Sequence, residues 1–156
     1  MSVARLFLFT GPAVAVVIGL VLAIIWLNGR ERRYVAFFAL AFFAYALAAL
    51  SQMLWLPPDP GSNAMVSATI YTFAVLCMSE GLLARLGRAE SGSSFVAVGV
   101  GIVVLVYYFY YVDESLAGRI YTQNFGYGAM FLIAGGSASK PIAGAGSIAC
   151  FFGFSS

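Results

Sequence analysis

The sequence predicts an all-α protein: a polytopic transmembrane bundle of about five spanning helices with its N-terminus outside. Three observations predict it. The composition is 62% hydrophobic and only 9% charged, whereas a soluble domain carries about 45–50% apolar and about 25% charged residues. Several apolar runs exceed the roughly 18 residues that mark a spanning helix. Basic residues gather between alternate runs, as they do on the cytoplasmic side of membrane proteins. A soluble domain of 156 residues has too little interior to hide so much apolar surface.

The first span is expected over residues 6–27, "LFLFTGPAVAVVIGLVLAIIWL". At 1.5 Å per residue it reaches about 33 Å, enough for a hydrocarbon core of about 30 Å. Pro12 falls near its outer end, where a missing amide donor matters least. One arginine precedes the run and "RERR" follows it. Its apolar part is also longer than a secretory core, so a retained helix is expected, not a cleaved signal.

The second span is read over 34–56 and stops at the proline-punctuated "LPPDPGSN"; the third covers 65–86 and contains Glu80. After "GRAESGSS" the fourth runs over 95–112. The fifth, 120–134, is short and opens on polar "TQN", so small residues beyond Gly135 would have to lengthen it. Residues 135–156 form a tail rich in Gly, Ser and Ala, with an apolar piece from Ile142 to Phe154 too short to cross alone. The tail reads as an incomplete sixth span, and the abrupt change of composition suggests a reading frame truncated or shifted near Gly135.

Orientation follows from the cations. Arg30, Arg32, Arg33, Arg85, Arg88 and Lys140 share one side, and only Arg5 and Arg119 lie on the other. That imbalance puts the N-terminus outside and the end of the fifth span in the cytoplasm. Trp26 and Tyr34 then mark the inner edge, with Trp55 and the run Tyr107 to Tyr111 at the outer one. The tyrosine run is read as an interfacial belt, with a ligand cleft as the alternative.

Gly11, Ala15, Gly19 and Ala23 recur every fourth residue and form one smooth ridge. Such ridges let helix backbones approach closely in lipid, so a packing contact is expected there, within one chain or in a homodimer. Glu80, Gln52, Gln123 and Asn124 are the candidate intramembrane polar site. A carboxylate at membrane depth raises suspicion of function. Glu80, however, is only about 7.5 Å along the axis from Arg85, toward the interface, and does not face it as an i,i+4 partner would. It is read first as a structural anchor, protonated or paired with Arg30, Arg32 or Arg33. The amides are ordinary interhelical hydrogen-bonding groups or the polar spots of a small-ligand pocket.

The exclusions are sharper. Histidine is absent, which removes bis-histidine haem, histidine-bearing zinc sites and histidine-activated nucleophiles. Cys77 and Cys150 make neither a disulfide framework nor a metal site. A net charge of +2 without basic–aromatic interleaving argues against nucleic acid. No cofactor, no metal and no enzymatic activity are expected; the expected partner is the lipid bilayer, together with a small molecule the residues do not name.

An outside-starting helix with an arginine loop, "AFFALAFFAYALAALSQMLWLPPDP", "YTFAVLCMSEGLLARLGR" and a fourth helix that reaches an acidic loop before "RIYTQNFGYGAMFLI" lie in that order. Together they resemble the membrane-embedded N-terminal input region of bacterial diguanylate cyclases of the GGDEF class. The resemblance covers about residues 6–133. It implies a multi-pass sensory and signal-transduction module in the bacterial inner membrane, ahead of a cytoplasmic domain that condenses two GTP into cyclic di-GMP. The GG[DE]EF loop itself is missing: Gly135 and Gly136 run into "SASK". No catalytic residue carries over, and this polypeptide is not expected to make cyclic di-GMP. Two other functions compete. One is a small proton-coupled transporter that uses Glu80; the other is an accessory subunit of a larger membrane complex.

Overall fold

The computed structural model describes residues 3–30, 32–87 and 92–139. They form an all-α bundle of five helices: α1 (Val3–Asn28), α2 (Arg33–Met53), α3 (Pro60–Arg85), α4 (Gly92–Tyr111) and α5 (Leu116–Ser139). Three stretches are long and apolar enough to cross a membrane, namely Phe9–Asn28, Arg33–Met53 and Pro60–Arg85. The apolar part of α4, Phe95–Tyr111, is shorter, and α5 with Arg119, Gln123 and Asn124 does not meet the same measure. Arg88, Lys140, Cys150 and the piece from Ile142 to Phe154 lie outside the described residues.

Helix ends differ from the sequence-based bounds where a local cap decides them. α3 begins at Pro60 because Asp59 accepts the Ser62 amide at 2.7 Å and Pro60 occupies the first turn, where its missing N–H costs nothing. The "DPGSN" expected to be loop is therefore the first turn of a helix. α2 stops at Met53, not Leu56. There the Leu56 amide turns back onto the Ser51 carbonyl at 3.0 Å and the Ser51 hydroxyl donates to the Leu56 carbonyl. α5 begins early because Ser115 Oγ accepts the Gly118 amide at 3.1 Å, and it continues past Ala134 through the small residues to Ser139. Pro12 lies inside α1, well past its first turn. The Leu8 carbonyl thereby loses its usual backbone donor.

Successive helices run antiparallel, and the glycines show how closely they approach. A Cβ on Gly19 would sit 3.2 Å from the Phe43 ring, and one on Gly81 3.0 Å from Phe38. These contacts join α1 to α2 and α2 to α3. Between α4 and α5, a Cβ on Gly126 would meet Ile102 at 2.6 Å. Small residues also dominate the buried faces: Ala39, Ala41, Ala44, Ala46, Ala48 and Ala49 of α2 are all buried, while Leu40 and Leu47 face outward. Water would drive the opposite sorting; an apolar solvent leaves backbone proximity and van der Waals packing to choose the interior.

α3 is the hub. It packs along α2 most extensively and also meets α4 and α5, whereas the backbone of α1 comes close to that of α2 alone. Ala68 and Leu83 of α3, Phe95, Ile102 and Val106 of α4, and Met130 and Ala134 of α5 form the main buried cluster. Because the backbones of α1 and α5 stay apart, a cleft runs between them with the α2–α3 seam as its floor. One end of the bundle carries Arg30, Arg32, Arg33 and Arg85, and the other carries Asp59, the tyrosine run and Arg119.

Candidate functional site

That cleft deepens into a cavity of about 340 Å³ near the middle of the helices. α1 supplies Gly11, Val14, Ala15 and Ile18; α2 supplies Ala41, Phe42 and Tyr45; α3 supplies Tyr71, Ala74, Val75 and Met78. Tyr127 and Phe131 of α5 close the far wall. The spacing on each helix explains the convergence. Gly11, Ala15 and Ile18, or Tyr71, Val75 and Met78, fall on one helical face at steps of three and four residues. Gly11 has no atom within 4 Å of where a Cβ would stand, so its missing side chain adds directly to the space.

Hydrogen bonds fix the polar wall. Thr72 Oγ1 donates to the Ala68 carbonyl at 2.8 Å and lies 3.3 Å from the Tyr127 hydroxyl. A hydroxyl has one proton, so Tyr127 is the donor in the second bond. Tyr71 donates to Gln52 Oε1 at 3.5 Å, a long bond, and packs its ring against Tyr45 with centroids 5.6 Å apart. Gln52 Nε2 in turn donates to Ser67 Oγ at 3.1 Å, Ser67 Oγ donates to the Asn63 carbonyl at 2.8 Å, and Asn63 Nδ2 donates to the Ser51 carbonyl at 2.9 Å. This ladder ties α2 to α3 and holds Tyr71 at the cavity. Interhelical bonds of this kind contribute about 0.6–2 kcal/mol each.

The residues singled out from sequence separate into distinct places. Gln52 belongs to the ladder. Asn124 Nδ2 donates to the Ile120 carbonyl of its own helix at 2.9 Å, and Gln123 is half-buried on α5. Glu80 is half-buried near the arginine end of α3, does not line the cavity, and forms no ion pair with a described residue. The glycine–alanine ridge divides: Gly11 and Ala15 face the cavity, Gly19 packs on Phe43, and Ala23 is half-buried. Sequence reasoning did not single out Tyr45, Tyr71, Thr72 or Tyr127. Their one signal was an aromatic or hydroxyl group beside small residues, which marks a face without naming its neighbour.

At the opposite end the tyrosine run wraps the start of α3. Tyr110 Cε1 and the Tyr111 hydroxyl both come within 2.9 Å of where a Gly61 Cβ would be. The Arg119 guanidinium lies 4.6 Å over the Tyr110 ring, a cation–π arrangement. Nearby Asp59 is exposed, and the Ser62 backbone amide holds its carboxyl below the ordinary carboxylate range. Tyr107 and Tyr111 remain about half exposed and stack at 4.8 Å. Among the described residues no group of three or more His, Cys, Asp or Glu side chains is placed to hold a metal. No family model, no curated protein and no solved structure matches the chain.

Proposed function

We propose that this chain is a non-catalytic sensory module of the bacterial inner membrane, crossing it five times with its N-terminus outside. Its ligand is an apolar molecule or chain that enters from the bilayer. The cavity over the α2–α3 seam carries this reading. It lies between two helices whose backbones stay apart, its wall is apolar apart from three tyrosines, and its size lies at the lower end of ordinary ligand pockets. The resemblance to cyclase input regions supplies the signalling role, and the positive-inside distribution supplies the topology.

Photolabelling tests the ligand claim. The chain, reconstituted in neutral-lipid nanodiscs, is irradiated with a diazirine-bearing palmitic acid and digested for peptide mapping. Adducts should concentrate on the peptides carrying Val14, Ala41 and Ala74, and Ala41→Leu with Ala74→Leu should remove them. The outward face of α4, where Val100 is 57% and Val104 58% exposed, reports nonspecific lipid contact. Equal labelling of that face and the cavity would end the proposal.

A further inference from the structure

Two hollows open on α1, and they share one face of it. The cavity takes Gly11, Val14 and Ile18 from this helix. The second hollow, a crevice of about 650 Å³ at the arginine end, is lined by Ile25, Asn28, Gly29, Arg30 and Arg32. At about 100° per residue, Val21, Ile18, Val14 and Gly11 all fall within about 40° of Ile25 around the helix. Among the described helices, only α2 brings its backbone close to that of α1. The strip between the hollows is open, with Ile25 45%, Val21 51% and Val14 51% exposed.

The two ends of the strip differ in chemistry. Two exposed arginines and an asparagine are among the residues that line the crevice, and neither arginine forms an ion pair with a described carboxylate. The cavity end is apolar, with phenol groups on its wall. Ile25 to Val14 is about 16–17 Å along the axis, close to half of a hydrocarbon core of about 30 Å. A charged head at one end and one leaflet of apolar track describe a lipid.

We infer that the two hollows are the ends of a single site, and that it holds an anionic phospholipid from the leaflet at the arginine end. Arg30 and Arg32 take the head-group phosphate, whose oxygens match the guanidinium fork. One acyl chain lies along Ile25, Val21, Ile18 and Val14 and ends in the cavity. A zwitterionic lipid brings the same phosphate but offsets it with its own ammonium, so only an anionic lipid adds net counter-charge for the arginines, and a free anion fills the crevice alone. The inference rests on the cavity reading above and adds the class of head group to it.

Native mass spectrometry of the full chain, released from nanodiscs of equimolar phosphatidylglycerol and phosphatidylcholine with identical chains, reads the preference. Retained lipid should favour phosphatidylglycerol by about thirtyfold, the ratio expected of two interfacial arginines. Arg30→Gln alone should leave about fivefold, Arg30→Gln with Arg32→Gln should bring the ratio near one, and Arg30→Lys with Arg32→Lys should keep most of it. Excess inorganic phosphate should not displace the lipid. Equal retention of both lipids would overturn the head-group assignment and leave the cavity reading standing; no retained lipid at all would overturn both. Displacement by phosphate would overturn the single-site claim, as would a preference that survives the double glutamine substitution.

Discussion

The Tyr127 hydroxyl of α5 donates to Thr72 Oγ1 of α3 across 3.3 Å, at the wall of the cavity. Thr72 has already committed its own proton to Ala68. The direction of the bond is therefore fixed, and α5 is the helix that gives.

Tyr127→Phe should lower the unfolding free energy by about 0.6–1.7 kcal/mol, the range measured for interhelical bonds in membrane bundles. Thr72→Val should do at least as much, and the double substitution should cost less than the sum. Titration with dodecyl sulfate in mixed micelles measures all three. Full additivity would mean that the two hydroxyls do not interact.

Gly126 and Gly101 make a matched pair on facing helices. A Cβ on Gly126 would come within 2.6 Å of Ile102, whereas Gly101 has open space. Gly126→Ala should destabilise by about 1–3 kcal/mol through overpacking, and Ile102→Val should recover part of that loss. Gly101→Ala should be neutral or stabilise by up to about 1 kcal/mol, since alanine favours a helix over glycine. The same micelle titration gives both signs.

Ser79 is fully buried, and its Oγ has no hydrogen-bond partner in the structure. An unsatisfied buried hydroxyl costs more than it returns. Ser79→Ala is therefore expected to raise stability, by about 1 kcal/mol. A loss of stability would show that the hydroxyl has a partner in the membrane.

Asp59 makes the start of α3 sensitive to acid. Its carboxyl is held below the ordinary value of 3.8 by the Ser62 amide. The cap therefore contributes fully above that value and is lost as pH falls through the lower folded one. Amide exchange at Ser62 and Asn63, corrected for the intrinsic pH dependence, should speed up between pH 5 and pH 2. Asp59→Asn, which caps without titrating, should remove the effect. Equal acid sensitivity in both proteins would place its cause elsewhere.

The class of fold was legible because hydropathy and run length act residue by residue. Lipid-compatible composition in α1, α2 and α3 requires no knowledge of neighbours. Helix ends were less legible where one side chain decided them. The Asp59–Pro60 pair and Ser115 were visible as letters but were read as loop, although both are helix-start signals. The ridge of Gly11, Ala15, Gly19 and Ala23 marked a smooth face without saying what it would meet. Gly19 meets Phe43, whereas Gly11 and Ala15 border the cavity. That division depends on α1 and α5 staying apart, a property of the whole packing and not of any short segment. Tyr127 and Thr72, far apart in sequence, come together only through that packing.

α1 is fastened along one seam. Its backbone packs on α2, with Gly19 closely against the Phe43 ring. On the proposed reading, a guest arriving through the bilayer has no close backbone packing of α1 on α5 to prise open and no backbone hydrogen bond to break. It has only to displace other lipid from the gap. Residence time at such a site is governed by the fit of the guest and by the rocking of a single wall, so substitutions that loosen Phe43 would quicken both arrival and departure while leaving the remaining four helices in register.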